Sequence, residues 1–378
     1  MRSGKRTRAD KKIVVDDKIL PQKTMSAPRS PQKRNAARNR NIQQKLQTSA
    51  QQNKWSIENT KLPRDTRNTI SSINIDNYSL KLNKASQFID DKFIFFKTDR
   101  GNIELNVLPD YSNIPLKDIS ERQKINLELS GFACKKIENT KVDWRLVIGV
   151  GGSSVYETSM TLHHIYGIPY IPGSAIKGVL RHFIVSELLA NDFPDDNLNI
   201  INKLIEIDDI EVLIKKGIET MGNIVITYTD EDGQSKKIKP SQKLLDRVMT
   251  GWDDLKKARK IFGNQGRQGN VIFVDSFPIT PPKIKPDVMN PHYSDYYSGK
   301  TDKNGNPVSP ADYLSPVPIY FLTVEDTAFD FYLAAKKKDK DIFDEKIGNF
   351  NIVNWLKKAL CEHGIGAKTA VGYGYLNV

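Results

Sequence analysis

Residues 167–182, GIPYIPGSAIKGVLRH, place a serine, a lysine and an arginine after a glycine turn, a combination suited to binding an anion. The stretch does not match the nucleotide-binding phosphate loop, which has the pattern G-x-x-x-x-G-K-[ST] after a buried strand. On a helical wheel four residues share one side: Ser174, Lys177, Gly178 and Arg181. Cations at a helix start oppose the helix dipole, whereas a bound anion is favoured there. The side therefore predicts a site for a phosphodiester.

The other side of this helix predicts its packing. Four apolar residues fall there and should face a sheet: Ile176, Val179, Leu180 and Phe183. Gly178, on the first side, costs about 1 kcal/mol relative to alanine in a helix interior. A missing Cβ lets another backbone approach closely, which fits a nucleic-acid strand. The alternative is a solvated helix face with no ligand.

The C-terminal stretch GIGAKTAVGYG, residues 364–374, predicts a second anion site. Successive glycines allow backbone N–H groups to converge into an anion-binding nest, and a lysine supplies charge. The expected contacts are Gly364, Gly366, Lys368, Thr369 and Gly372. Gly364 should also take the left-handed conformation that ends the preceding helix at His363. The alternative is a glycine-rich turn selected only for tight packing.

A third glycine cluster, FGNQGRQGN at 262–270, offers Arg267 as a further phosphate contact, although a plain loop fits equally well.

Cleavage chemistry has weaker support. Metal-independent acid–base cleavage of RNA would use His163 or His164, but one of two consecutive histidines on a strand usually points into the core. Asp275 is a candidate general acid or, more simply, a capping residue. No catalytic set, metal site or cofactor is predicted.

The charge of the 378 residues is concentrated at the N-terminus. Residues 1–50 carry 14 Lys and Arg but 3 Asp and Glu, whereas the whole chain has a net charge of +12. The segment 1–50 is thus expected to be a disordered basic tail, either an arm on nucleic acid or a solubilising extension. The remainder is nearly neutral, so a nucleic-acid site there must be local.

Composition also limits the class of protein. No run approaches the roughly 18 apolar residues of a membrane span, and the N-terminus lacks the apolar segment of a secretory signal. Cys134 and Cys361 are far apart and suggest no disulfide framework. We therefore expect a cytoplasmic protein without a membrane partner.

The elements predicted from residue 143 onward follow one order. Strands are expected at 143–150 and 271–278, at 318–324 and 328–335, which together form one strand region, and at the C-terminus. Helices are expected from Ser174 to about Ala190 and from 341 to 362. This is βαββαβ, the α+β, ferredoxin-like (RRM-like) arrangement, here with large insertions. The segments are an irregular, partly helical region (51–139), the ferredoxin-like domain (140–378), its helical and hairpin insertion (191–262) and a long loop (279–316). Within the insertion, a hairpin is expected at 223–240 and an amphipathic helix at 241–262.

Together and in this order, four stretches resemble the RAMP superfamily of CRISPR proteins, and within it a subunit of the type III-B (Cmr) RNA-targeting effector complex. They are GIPYIPGSAIKGVLRHF, IFGNQGRQGNVIFVDSFP, NPHYSDYY with the later PVPIYFLTV, and GIGAKTAVGYG. The resemblance covers about 140–378. It implies a ferredoxin-like fold of RAMP architecture, in which the glycine-rich C-terminal loop, here Gly364–Gly374, lies on the side that contacts RNA.

The resemblance also implies partners and a role. The expected partners are the guide RNA, toward its 3′ end, the target RNA, and neighbouring backbone and small helical subunits of the complex. Such subunits are regarded as structural, and either the hairpin or the segment 279–316 would be the "thumb" inserted between guide–target base pairs. The alternative is a metal-independent endoribonuclease of the RAMP superfamily that processes guide RNA with His163 or His164.

Overall fold

The structure is a computed structural model, and its described residues leave out the N-terminal segment that contains the predicted tail. The described ranges are 55–71, 75–89, 92–93, 96–99, 102–105, 107–152, 154, 158–189, 225–229, 235–239, 241–264, 266–291, 293–302, 305–310, 316 and 318–378. The helices expected over 191–221 also lie outside them.

The helices, in chain order, are α1 Arg64–Ile70, α2 Tyr78–Asn83, α3 Leu116–Leu129, α4 Gly173–Leu189, α5 Gln242–Thr250, α6 Trp252–Phe262, α7 Ser294–Tyr297 and α8 Ile352–Glu362. The strands are β1 Phe88–Ile89, β2 Lys92–Phe93, β3 Phe96–Asp99, β4 Asn102–Leu105, β5 Phe132–Val142, β6 Arg145–Leu146, β7 Ile226–Thr229, β8 Ser235–Ile238, β9 Val271–Phe273, β10 Lys283–Met289, β11 Ile319–Glu325, β12 Ala328–Lys336, β13 Lys346–Ile347, β14 Phe350–Asn351 and β15 Leu376–Asn377. Short 3-10 helices span Ile57–Asn59, Lys337–Phe343 and Thr369–Val371.

The central sheet has four antiparallel strands in the order β15-β5-β12-β9. β12 lies in the middle and is buried along nearly its whole length. On one face, alternate β12 residues such as Phe331 and Leu333 join a core that includes apolar residues of α4, α6 and α8. Burial of this apolar surface is the main stabilising contribution to the domain.

The other face of the central sheet is covered by α3. Asp330 on β12 is 5 % exposed and accepts hydrogen bonds from Ser120 of α3 (3.2 Å) and from the backbone N–H of Asn139 (3.0 Å). Its carboxylate also pairs with Lys136 Nζ at 2.9 Å. This network joins α3, β5 and β12 with paired polar groups, as a buried charge requires.

A second sheet lies beside the first, with three antiparallel strands in the order β10-β11-β6. Its residues Ile284 and Leu322 pack with Tyr78 of α2 and Leu116 of α3, so the N-terminal region shares an apolar core with the domain. A small hairpin, β7 with β8, lies within the predicted hairpin segment.

Four predictions about single elements are wrong. The apolar run at 143–150 contributes to a strand only at Arg145–Leu146, while the first strand of the central sheet is the more polar β5. Leu146 and Val147 are buried, but the carbonyl of Val147 is bonded to a loop amide, from Ala367, at 2.8 Å. An apolar run indicates burial, and burial here occurs without a strand ladder.

The segment 279–316 is not one long loop, because it contains β10 and α7. Pro286 argued against a strand at this position, because proline cannot donate a hydrogen bond to a ladder. However, β10 is an edge strand, where proline is tolerated. The helix expected over 341–362 begins only at Ile352, after a 3-10 helix and the hairpin of β13 and β14. The helix expected over 241–262 is interrupted at Gly251.

Candidate nucleic-acid interface

The first turn of α4 is bonded to a carboxylate of the same chain. Asp275 Oδ1 accepts a hydrogen bond from the backbone N–H of Gly173 at 2.7 Å, so this aspartate is a capping residue. A Cβ on Gly173 would overlap with the carbonyl oxygen of Phe273, which shows how closely this turn packs on β9. An anion at this helix therefore has to bind to the outward side chains more than to the N-terminal N–H groups.

The outward surface of α4 carries the predicted residues. Ser174, Lys177 and Gly178 are exposed and Arg181 is half-buried. On the opposite side, Ile176, Leu180 and Phe183 are buried, as the helical wheel predicts. A Cβ added to Gly178 would meet nothing within 4 Å. Packing among the described residues therefore does not explain why a glycine stands in this helix.

The glycine-rich C-terminal loop is docked on the segment after β5. Gly364 has φ +77° and its N–H bonds to Ala359 O at 2.9 Å, so it ends α8 as predicted. Gly366 has φ +97°, and a Cβ there would overlap with the carbonyl oxygen of Val147. Tight internal packing thus accounts for Gly364 and Gly366, whereas Gly372 (φ +94°) faces open space.

Lys368 is held against the second sheet. Its φ is +64°, and its ammonium lies 5.2 Å from the ring centroid of Phe321 and 3.6 Å from Met289 Sδ. The ammonium therefore rests over an aromatic face in a half-buried position. Thr369, also half-buried, begins a 3-10 turn immediately afterwards. Within the described residues, no contact joins the Lys368 ammonium to the cations of α4.

Tyr373 anchors the end of the same loop. Its hydroxyl donates to Asp287 Oδ2 at 2.7 Å, and Arg145 pairs with the same carboxylate. Burial and the Asp287 carboxylate raise the pKa of Tyr373 to about 12. The indole of Trp144 lies 4.8 Å from the Tyr373 ring. The loop therefore has a fixed position relative to both sheets.

The start of this loop lies beside α4. The His363 ring is 5.5 Å from that of His182 and 5.8 Å from that of Phe183, both in the third turn of α4. Lys358 of α8 bonds to Glu187 of α4 at 2.8 Å. Burial, with a smaller contribution from His182, lowers the pKa of His363.

The contact between His363 and α4 predicts a pH dependence of stability. Because the folded protein lowers the pKa of His363, the unfolded chain binds more protons below about pH 6.5. The free energy of unfolding should therefore fall as pH is lowered from 7 toward 5. In His363→Gln the fall should be shallower in urea unfolding at each pH. An unchanged pH profile in the variant would contradict this assignment.

Arg267 lies apart from the glycine-rich loop. It is exposed and lines a cavity with Phe132, the first residue of β5. The glycine-rich loop is bonded to Arg145 and Val147, which follow the last residue of β5. The two sites are thus at opposite ends of this strand.

His163 is packed in an aromatic cluster. Its ring is 5.2 Å from that of Phe277 and 5.6 Å from that of Tyr170. Its Nδ1 accepts from the backbone N–H of Ile165 (3.3 Å) and of Tyr166 (3.4 Å). Burial lowers the pKa of His163, and the neighbouring histidine adds to this. These contacts fit a histidine that holds a turn.

The described part of the chain contains no group of three or more His, Cys, Asp or Glu side chains arranged to hold a metal ion. Among the same residues, no helix has both the length and the apolar character needed to cross a bilayer.

Residues 145–377 match the model of the RAMP superfamily. The match covers more than half of the chain and includes α4, the second sheet and the glycine-rich loop. The chain therefore belongs to the RAMP superfamily.

The chain is also similar to two curated relatives and to two solved structures. The chain is 35 % identical over 247 residues to CRISPR system Cmr subunit Cmr6 of Pyrococcus furiosus, covering 62 % of this chain and 66 % of the relative. It is 22 % identical over 286 residues to Cmr6 of Saccharolobus solfataricus, with 68 % of each covered. The match therefore spans slightly less than two thirds of the length of the first relative.

Both solved structures superpose only loosely. The Pyrococcus furiosus Cmr6 crystal structure has a TM-score of 0.37 at 31 % identity, covering 66 % of this chain and 98 % of that one. A cryo-EM structure of the Type III-B Cmr-beta bound to cognate target RNA has a TM-score of 0.41 at 20 % identity, covering 70 % and 65 %.

Proposed function

We propose that this chain is the Cmr6-type subunit of a type III-B CRISPR effector complex in the cytoplasm. In this role it binds RNA without cutting it, contacts the 3′ part of the guide RNA and the guide–target duplex, and serves antiviral defence. Family membership and the 35 % identity to a Cmr6 support the assignment. Its partners are then guide and target RNA and the neighbouring backbone and small helical subunits.

The proposed core of this subunit is the ferredoxin-like βαββαβ unit. β5, α4, β9, β12, α8 and β15 follow one another in that order of types. The sheet order β15-β5-β12-β9 places the first and third strands of the unit in the centre. In this arrangement α4 and α8 lie on one face, and their loops form the surface offered to RNA.

The proposed RNA surface is the outward side of α4 together with the glycine-rich loop. The observation that carries it is Gly178, an exposed helical glycine with open space around it, next to Lys177. A helix-interior glycine costs about 1 kcal/mol relative to alanine, and no packing among the described residues offsets that cost. Close approach of a phosphodiester backbone to the helix would offset this cost.

A structural role for His163 supports binding over cleavage. Nδ1 of His163 accepts hydrogen bonds from two backbone N–H groups, and its ring packs against the aromatic side chains of Phe277 and Tyr170. The thumb remains one of two segments, the hairpin of β7 and β8 or the segment 279–316, which here contains β10 and α7.

The test is Gly178→Ala. Because alanine favours a helix, the variant should be more stable in urea unfolding by up to about 1 kcal/mol. The added methyl group should nevertheless weaken guide-RNA binding in the reconstituted complex by several-fold, measured by titration at physiological salt.

The matched control is Asn354→Ala, an exposed position at the start of α8, which should leave RNA binding unchanged. Opposite effects on stability and on binding would exclude misfolding as the cause. If Gly178→Ala binds guide RNA like the parent chain, α4 is not the RNA surface. Site-specific cleavage of repeat RNA in chelator, lost in a His163/His164 double variant, would instead favour the endoribonuclease.

A further inference from the structure

A cavity of about 340 Å³ opens at the end of the central sheet where β5 begins. Its walls come from two separate segments. One is the turn before β9, with Arg267, Gln268 and Asn270, and the other is the end of β12, with Lys336, together with the start of the 3-10 helix that follows it, with Lys338. The remaining lining residues are Phe132, Gly269, Ile272 and Asp339.

The cations of this cavity differ from several other cations in the domain, which form ion pairs. Lys141 and Lys283 both pair with Asp326, and Lys358 lies between Glu187 and Glu362. By contrast, within the described ranges no ion pair is formed by the three exposed cations of the cavity: Arg267, Lys336 and Lys338. The body outside the basic tail has almost no net charge, so this concentration of cations is local. Unpaired cations on opposing walls create a positive potential that attracts a chain of negative charges.

The backbone that carries these cations is held in place by the fold. The 3-10 helix Lys337–Phe343 follows β12 directly, and the Lys337 N–H bonds to Gly131 O at 3.1 Å. Ile342 and Phe343 of that helix are buried in the core. On the other wall, Gly263 and Gln268 pair their backbones across the turn that carries Arg267. A ligand would therefore meet cations carried on a preformed backbone, so that only their side chains need to be ordered on binding.

The lining chemistry fits single-stranded RNA. Arg267 suits bidentate recognition of a phosphate, and the two lysines add point charges. Phe132, half-buried in the lining, offers an aromatic side chain on which a base can stack. Gln268, Asn270 and Asp339 supply donors and acceptors for base edges and 2′-hydroxyl groups. An acidic peptide would use the cations alone.

We propose that this cavity is a second RNA-binding site that takes the phosphodiester backbone of a single-stranded segment, separate from the glycine-rich loop at the other end of β5. The inference rests on the proposed function, because it assumes an RNA-binding subunit. It assigns roles to three residues in addition to Arg267: Phe132, Lys336 and Lys338.

The test compares two triple variants of the full chain with an unstructured single-stranded RNA. In Arg267→Ala/Lys336→Ala/Lys338→Ala, the slope of log affinity against log salt should decrease in magnitude by about 2, because each neutralised phosphate of a single strand accounts for roughly 0.7 of the slope. In Lys141→Ala/Lys256→Ala/Lys283→Ala, which removes the same charge from ion-paired positions, the slope should stay at the parent value.

Equal slopes in all three proteins, or an equal decrease in both variants, would overturn the second site. Unchanged RNA binding together with lost binding of an acidic protein subunit would overturn it in favour of a protein interface. Each outcome is separable from failure of the proposed function, because Gly178→Ala probes α4 in the same titration. If Gly178→Ala weakens binding but the cavity variant does not, only the second site is wrong.

Discussion

Gly366→Ala is expected to destabilise the domain by roughly 2–5 kcal/mol. The residue has φ +97°, where an L-residue pays roughly 1–2 kcal/mol of strain. In addition, its Cβ would overlap with the carbonyl oxygen of Val147, and such overpacking costs about 1–3 kcal/mol. Because Val147 is buried and its backbone is bonded to the loop, the clash cannot be relieved by a side-chain rotation. Urea unfolding with the midpoint and slope fitted separately measures the loss.

Gly372→Ala is the matched control for this prediction. Gly372 belongs to the same loop and has nearly the same backbone angle, φ +94°, but a Cβ there meets nothing within 4 Å. This variant should show only the conformational strain, roughly 1–2 kcal/mol. The difference between the two variants measures how tightly the loop is docked on the segment after β5. Equal losses would mean that the loop does not rest on Val147.

Asp330→Ala is expected to cost about 3 kcal/mol, the lower end of the range for breaking a buried ion pair. The substitution leaves Lys136 without its nearest carboxylate, and Ser120 and the N–H of Asn139 lose an acceptor. Glu138, 3.3 Å from the Lys136 ammonium, limits the loss. Thermal or urea unfolding would measure it.

The pH range for this measurement follows from Lys136. Burial disfavours its charged form, but hydrogen bonds with Asp330 and Tyr332 outweigh burial and raise the pKa of Lys136. A raised lysine pKa contributes stability that is fully present below about pH 10.4 and is lost as pH rises above that. Around neutral pH, this contribution to the difference between parent and variant should therefore stay constant.

Asp326→Ala provides the comparison at the surface. Asp326 forms ion pairs with two lysines, Lys141 and Lys283, but 47 % of its side chain is exposed. Exposed ion pairs contribute little to stability, so its loss should be much smaller than that of Asp330. If the two variants were equally destabilised, burial would not be the reason for the importance of Asp330.

Much of the secondary structure could be predicted because its signals are local. The stretch LKDISERQKINLEL forms α3, the two apolar runs after residue 317 form β11 and β12, and Gly364 ends α8. β5 could not be recognised, since it contains charged residues such as Lys135 and Glu138 and only a few of its side chains are buried. Its membership of the central sheet depends on pairing with β12, almost 200 residues later in the chain, which no local pattern reveals.

Of the candidate site, only the exposed side of α4 could be predicted from the sequence. The helical wheel separated the exposed side of α4 from the buried one because a helix has a fixed period. The bond between Asp275 and the start of α4 joins residues 102 positions apart and depends on the tertiary fold. The same holds for Lys368, whose ammonium packs on Phe321 of the second sheet. The run KKKDK at 336–340 was the sequence signal for the cavity at the other end of β5.

The burial of β12 on both faces has a consequence for how a nucleic acid can reach this domain. RNA-recognition modules, which have the βαββαβ topology proposed above for this domain, stack bases on an open sheet. Here Phe331 and Leu333 point to one core, while Asp330 and Tyr332 lie under α3 on the opposite face. In the part of the chain that the structure describes, the central sheet therefore has no open face on which bases could stack, and its role is to hold the two proposed sites apart. With a rise of about 3.3 Å per residue, β5 holds the glycine-rich loop and the basic cavity roughly 33 Å apart. An RNA strand bound at both the glycine-rich loop and the cavity would run along the length of the domain, past the edges of the domain.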